Sequence, residues 1–526
     1  MKLSLQTYVP YDKSIKWNIH QNFFLKKGAN AWLNGDVPYD ITSNSCIAFQ
    51  IASLLYQTAS EMDKKNRLRK DEKIYIMELA SGVGLFAINF LKQFEKICRD
   101  NNVDYFDRLQ YFFSDFSKKN LQDAAKNINL RELQKNGHIE YVVVDALNPQ
   151  KITKLTNGQI ITDIKFIGII ASYTHDNLPL TILKKKGSDI YEKHIALSIE
   201  TDEMSKKSIE EYKMNLITNP TSEDILNKLN EKEKYILIDK AKIEPMDKEI
   251  IFETTQKFPV ATVIYPYGSF KAIKKAIPLL LKEGLYIISD KGYANEYYMK
   301  GEKSGAPSIH GNSFAHNVNF PLIELYAQKL GLFTTRTTNP DYSLQTMLIT
   351  PEDNKSIKEK FDSLFITNNL NESAAELKQK AESLIENNKF SEAITVFKQI
   401  LQIRKYDANI SYRLGYLLLN DADKAHEAIT YLIHGQKYDY FKLYNFEFEL
   451  GLAYYRLQEF NESIEHYKKS IRFFGTSQYV FHNIGLNYFA MNDYLSAKQY
   501  FLKALAIDDE YEPARNDLNE LLLKFE

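Results

Sequence analysis

Three carboxylates follow three successive apolar runs in the first third of the chain. Glu78 follows Lys73–Met77, Asp115 follows Gln110–Phe113, and Asp145 follows Glu140–Val144. Such runs, separated by helical patterns, read as parallel strands, and ligands of parallel sheets bind outside the carboxyl ends of the strands. Any one of these acids could be a turn former or a helix cap; three at successive strand ends imply a shared ligand. The first is followed by a glycine turn, Glu78-Leu79-Ala80-Ser81-Gly82-Val83-Gly84, and then by a helix to about Asp100. Gly82 and Gly84 let the backbone approach a ligand closely, at a helix N-terminus that favours polar or anionic groups. A pyrophosphate-binding fingerprint would want a third glycine where Ala80 stands. A fourth run, Phe166–Ile170, leads into Ser172-Tyr173-Thr174-His175-Asp176-Asn177-Leu178-Pro179, hydroxyls, an imidazole and a carboxylate able to move a proton. His310 and His316 lack a third ligand nearby, so no metal site is expected.

These groups require a doubly wound α/β sheet to position them. Gly284–Ser289, ending at Asp290, supplies a fifth strand after an interruption. The expected division is an N-terminal helical extension over 1–70, a core over 71–180, an inserted middle domain over 181–262, a second core part over 263–350, a polar linker over 351–372 and helical repeats over 373–526. Residues 181–262 are rich in Lys and Glu and read as helical by periodicity. Cys46–Met62 reads as an amphipathic helix.

The C-terminal repeat is visible as spacing. Gly415, Gly451 and Gly485 are 36 and 34 residues apart, and Ala381 stands 34 before the first. Sixteen residues beyond each comes an aromatic: Phe397, Tyr431, Tyr467 and Phe501. Ala393, Ser463 and Ala497 fill a second small slot, with Ala428 one position off. A period near ~34 with small residues where two helices touch is the tetratricopeptide pattern. Four such units and a closing helix over 512–525 are expected to stack, serving either as a protein-binding surface or as a scaffold.

Composition excludes several classes. The 67 Lys and Arg nearly cancel the 68 Asp and Glu of the 526 residues, so no global field draws the chain to nucleic acid or anionic lipid. Two cysteines, Cys46 and Cys98, cannot make a disulfide framework or a thiolate zinc site, and read as buried apolar residues. No signal peptide and no run of about 20 apolar residues is present, so a cytoplasmic protein without membrane insertion is expected.

The order acid, x, Ala, x, Gly, x, Gly resembles the first motif of class I methyltransferases, whose ligand S-adenosylmethionine bears an ammonium and no phosphate. The resemblance implies a donor site made of Glu78, Ala80, Gly82 and Gly84. Asp115 would accept the ribose hydroxyls and Asp145 the adenine amino group, with Phe116, Ala146, Ser172 and Thr42 completing the set. The segment after the fourth strand resembles the Asn-Glu-Phe-Phe-Asp-Ala-Leu-Pro signature of a group that includes the mitochondrial complex I assembly arginine methyltransferase. Asp176, Leu178 and Pro179 match, whereas Ser172 and Tyr173 stand at the Asn-Glu positions, so the arginine-binding glutamate is missing. Gly35-Asp36…Thr42-Ser43 and Ala315-His316-Asn317-Val318-Asn319-Phe320 are similar to further segments of that group. The whole arrangement resembles the rickettsial protein-lysine methyltransferases, which modify lysines of outer membrane protein B. This implies a homodimer acting on a lysine-rich, poorly folded protein chain before export, with S-adenosylhomocysteine as product. Tyr173, His175 and Asp176 would then form the wall that orients an amine and removes its proton. Tyr8, Tyr11 and Trp17 could form a lid or a cation–π cage, and Tyr267 a channel wall. The competing readings are arginine methylation, a catalytically silent assembly factor working through its repeats, and, for want of the third glycine last, a dinucleotide oxidoreductase.

Overall fold

The computed structural model describes residues 2–38, 40–201, 206–220, 224–239, 243–422 and 424–524. The chain forms two compact units, Met1–Glu372 and Ser373–Glu526. The strands of the first unit, in chain order, are β1 (Lys2–Pro10), β2 (Ile74–Leu79), β3 (Leu109–Asp115), β4 (Ile139–Val143), β5 (Ile152–Lys154), β6 (Ile160–Ile161), β7 (Phe166–Ser172), β8 (Thr181–Lys186), β9 (Asp189–Glu200), β10 (Leu229–Leu237), β11 (Val260–Tyr265), β12 (Leu280–Asp290), β13 (Ser308–His310), β14 (Ser313–Ala315), β15 (Phe333–Arg336) and β16 (Gln345–Thr350).

Nine strands make the main sheet, in the order β15-β16-β12-β7-β2-β3-β4-β5-β6. The middle five, β12, β7, β2, β3 and β4, are mutually parallel. Their near-continuous apolar sequences, such as Phe166-Ile167-Gly168-Ile169-Ile170 in β7, are those of strands covered on both faces. From β2 the chain winds one way through β3 and β4, then returns to β7 and β12 on the other side. That reversal opens a crevice at the carboxyl ends of β2 and β7. Both sheet edges are antiparallel, β16 with β15 on one side and β5 with β6 on the other. The helix Ser45–Lys64 starts at Asn44, whose Oδ1 accepts N–H bonds from Cys46 and Ile47. It packs so closely on the sheet that a Cβ at Gly168 would lie 2.4 Å from Leu55 Cδ2. Cys46 and Cys98 are both buried.

The helical expectation for residues 181–262 is corrected. They hold helices at Lys206–Thr218, Ile225–Lys228 and Pro245–Thr254, but also β8, β9, β10 and the first half of β11. These strands form a second sheet, completed by β1, so the N-terminal extension expected to be helical opens as a strand. Burial in β9 alternates through Ile195, Leu197 and Ile199, a strand period. What hid it was the charge content: Lys193, almost fully buried, pairs with Glu231 at 3.1 Å and Glu233 at 2.7 Å across the sheet. The stretch 351–372, expected to be a polar linker, carries the helix Lys355–Phe361 and a π-helical turn at Asp362–Thr367. No helix among the described residues is long and apolar enough to cross a membrane.

The second unit is an array of antiparallel helix pairs ending with Glu512–Leu523; residue 525, the expected end of that helix, lies outside the described residues. Its small residues sit where helices touch: a Cβ on Gly451 would come within 2.7 Å of Tyr467, and one on Gly485 within 2.6 Å of Phe501. In the second repeat the partner of Gly415 is Leu432, not Tyr431. One extra residue shifts that repeat, as the offset of Ala428 indicated. The turns within three pairs use left-handed residues at matching positions, Asn388, Gln458 and Asn492.

Candidate active site

A cavity of about 650 Å³ lies at the carboxyl ends of the parallel strands. Thr42, Glu78, Ala80, Gly82, Gly84, Asp115, Phe116, Asp145, Ala146 and Ser172 all line it, as do Tyr173 and Asp176. The turn after β2 is held in a conformation normally left to glycine. Gly82 and Gly84 have φ of 55° and 90°, and Ala80 adopts φ 53°. An alanine in that region costs about 1–2 kcal/mol, so the loop keeps the shape of the glycine motif despite its substitution. A Cβ at Gly84 would meet Leu130 at 2.7 Å and Phe113 at 2.8 Å. The turn is tied to the end of β3 by Ser81 N–H donating to Ser114 O (2.8 Å) and Ser114 N–H donating to Ser81 Oγ (3.1 Å).

The acids differ in setting. Glu78 is buried and accepts a bond from Tyr111 Oη at 2.9 Å; burial pushes its pKa up to about 8. Asp115 is likewise buried, which raises its pKa to about 6 against the N–H of Ser117 (2.8 Å) and the amide of Asn120 (2.7 Å). The Asn120 amide also donates to Gly82 O at 2.9 Å, locking the second acid to the glycine loop. Asp145 is exposed and caps its own turn, accepting from Leu147 N–H at 2.9 Å.

Across the cavity, Tyr173 follows β7 with φ 47°, its N–H donating to Ser289 O at 3.1 Å. Burial, then the neighbouring Asp176, Asp290 and Asp40, raises its phenol pKa, so it stays an O–H at neutral pH. His175 is corrected: it is absent from the cavity lining. Its Nε2 lies 2.9 Å from Tyr286 Oη, and burial lowers its pKa to about 3. The short turn His175–Asn177 directs it towards Tyr286 of β12, while Asp176 lines the cavity.

Of Tyr8, Tyr11 and Trp17, Trp17 alone lines the cavity. Tyr11 is buried with its Oη 2.8 Å from His316 Nε2, and Tyr8 is exposed beside Lys234. Tyr267 does line it, donating to Asp12 Oδ2 at 3.1 Å. Sequence reasoning missed Asp12, Phe24, Trp32 and Lys291. Trp32 lies in ordinary contact distance, 3.5 Å, of where a Gly82 Cβ would project. A clustering of aromatics before Thr42 was the available signal. Among the described residues no group of three or more His, Cys, Asp or Glu is arranged to hold a metal.

Fold and site together define a doubly wound α/β unit with a ligand cavity at its switch point, followed by a helical repeat array. The tetratricopeptide repeat model matches residues 448–473 and 479–511. A comparison with curated proteins finds no match. Among solved structures, the chain is similar to an uncharacterised protein from Burkholderia thailandensis, at 9% identity over 67% of this chain and 90% of that one, TM-score 0.41. A second protein from Burkholderia thailandensis, bound to S-adenosyl-homocysteine and considered a methyl transferase, is similar at 10% identity over 65% and 88%, TM-score 0.41. The repeats are similar to MamA from Desulfovibrio magneticus RS-1, at 15% identity over 29% and 84%, TM-score 0.27.

Proposed function

We propose that the protein is an S-adenosylmethionine-dependent methyltransferase acting on lysine side chains of a protein substrate. The observation that carries this reading is the convergence of the glycine turn and the acids of three consecutive strand ends on one cavity. The residues fit the donor. The loop at 80–84 presents backbone without bulk, Glu78 and Asp115 offer buried carboxyl groups, and Ser172 Oγ is buried without a hydrogen-bond partner on the cavity wall. Glu78 would hold the ammonium end, Asp115 the ribose hydroxyls and Asp145 the adenine amino group. When bound, the donor supplies a methyl group on a sulfonium centre, which an amine lone pair takes as the carbon–sulfur bond breaks. The chain's own work is to orient the amine, exclude water and accept its proton.

Lysine is favoured over arginine because Ser172-Tyr173 stand where a bidentate carboxylate would grip a guanidinium. A neutral Tyr173 hydroxyl and the Trp17 ring, both on the cavity lining, suit an amine instead. The glycine-like backbone kept at Ala80 speaks against a silent site. The resemblance to the rickettsial enzymes extends the proposal to lysines of outer membrane protein B, bound as a poorly folded chain by a homodimer in the cytoplasm. Calorimetry of the full chain with S-adenosylhomocysteine tests the donor site: saturable one-site binding is expected, and its absence would overturn the reading.

A further inference from the structure

Asp290 ends β12 fully buried, one strand away from Tyr173 and Asp176. Its Oδ2 accepts the backbone N–H bonds of Thr174 (3.3 Å) and His175 (3.0 Å). Its Oδ1 finds no hydrogen-bond partner in the structure. The carboxyl of Asp176 interacts with it directly; Asp176 is itself buried at 4% exposure yet lines the cavity, with its Oδ1 accepting from the Asn177 amide at 2.5 Å. Two carboxylates in contact cannot both ionise away from water, so the pair holds one proton between its members. That proton satisfies the otherwise orphaned Oδ1.

We propose that Asp176 and Asp290 work as a carboxyl pair that takes up the proton of the incoming substrate ammonium, Asp176 as the acceptor on the cavity and Asp290 as its positioning residue. This rests on the methyltransferase reading above. In the step, one N–H bond of the ammonium breaks, the proton bonds to an Asp176 oxygen, and the electron pair stays on nitrogen as the nucleophile. The pair, singly protonated before, is doubly protonated after, and returns the proton to solvent when product leaves.

The surroundings suit this use. An ordinary aspartate is too weak a base to compete for the proton of an amine with pKa near ~10. Burial raises both carboxyls, Asp290 further because the Asp176 charge faces it. The other groups against the pair do not compete: Tyr173 and Tyr286 are held as neutral phenols and His175 as a neutral imidazole, each by burial. Lys291, on the cavity, is the cation acting on Asp176, and it keeps the acceptor ionised enough to work. The two N–H bonds to Asp290 also pin the turn in which Tyr173 is left-handed.

Infrared titration of the donor-free full chain, with isotope-labelled aspartate, reads the pair independently of activity. Beyond the steps of other buried aspartates such as Asp115, the wild type should show two separated carboxyl steps above the ordinary range, and Asp290→Asn or Asp176→Asn should each remove one of these two. Ionisation of every aspartate below about pH 5 would overturn the pair. With substrate, Asp176→Asn should lower turnover about 10²–10⁴-fold at neutral pH and recover steadily as pH rises and the amine deprotonates unaided. Asp290→Asn should lose less turnover, and its pH profile should lack the step that the pair contributes. A loss in Asp176→Asn that does not vary with pH would overturn the acceptor role. Failure of the wild type to bind donor would instead overturn the methyltransferase reading and leave the infrared result standing.

Discussion

The two walls of the cavity are built by different means. The donor wall consists of residues at the ends of parallel strands and in the turns that follow them: Glu78, Ala80 to Leu85, Asp115 and Phe116, Val144 to Leu147, and Ser172. Their placement follows from short-range features, a strand end and a turn. The opposite wall gathers Asp12, Trp17, Tyr267, Lys291 and Ala315 from distant parts of the chain. It is held by bonds such as Tyr11 to His316 and Tyr267 to Asp12, spanning 305 and 255 residues. The first wall is fixed by local backbone geometry, the second by long-range pairing, and substitutions should separate them.

The largest effect is expected from Gly84→Val. Its Cβ would sit in the space of Leu130 and Phe113 at a φ of 90°, combining overpacking with backbone strain. Donor affinity should fall by more than about 100-fold in calorimetry, with a lowered melting temperature. Asp115→Asn should weaken donor binding by about 1.5–3 kcal/mol, a lost charge-assisted contact, with little change in the substrate KM at saturating donor. An Asp115→Asn protein that binds donor as well as wild type would break the donor-wall assignment.

Glu78 gives a pH test. Its folded pKa, pushed by burial to about 8, exceeds the ordinary 4.5, so the folded state holds a proton that the unfolded state releases. The stability this contributes is complete below pH 4.5 and is lost as pH rises towards 8, by up to about 1.4 kcal/mol per unit. Glu78→Gln should flatten that decline in melting temperature measured from pH 5 to 8.

On the opposite wall, Trp17→Ala should raise the substrate KM about 2–30-fold, the worth of a cation–π contact, and leave donor affinity within about twofold. Equal damage to both would merge the walls into one. The smallest effect is expected from Ala80→Gly, which should stabilise the protein by up to about 1 kcal/mol in urea unfolding by relieving the left-handed alanine.

The same contrast explains what the sequence disclosed. The donor wall was legible because β2, β3, β4 and β7 are largely apolar, and the acids of β2, β3 and β4 stand at the strand end or within two residues of it. The repeats were legible because Gly451 and Gly485 must be small to admit Tyr467 and Phe501. The second sheet was not, because Leu229–Leu237 is filled with Glu and Lys, good helix formers in isolation. Only its antiparallel pairing with β9, which brings Glu231 and Glu233 to the buried Lys193, makes those charges strand residues. His175 was misplaced because neighbours in a tight turn face opposite ways, and spacing alone did not distinguish its direction from that of Asp176. Asp290 was visible as a strand end, but its partner lies 114 residues earlier.

The central claim is that this cavity transfers methyl groups to lysine. The direct measurement is peptide mapping by mass spectrometry of an unfolded lysine-rich protein incubated with the full chain and S-adenosylmethionine. The account predicts increments of about 14 Da located on lysine side chains, at a rate rising between about pH 7 and 9 as the bound amine deprotonates. Methylated arginine beside unmodified lysines in the same peptides would contradict it.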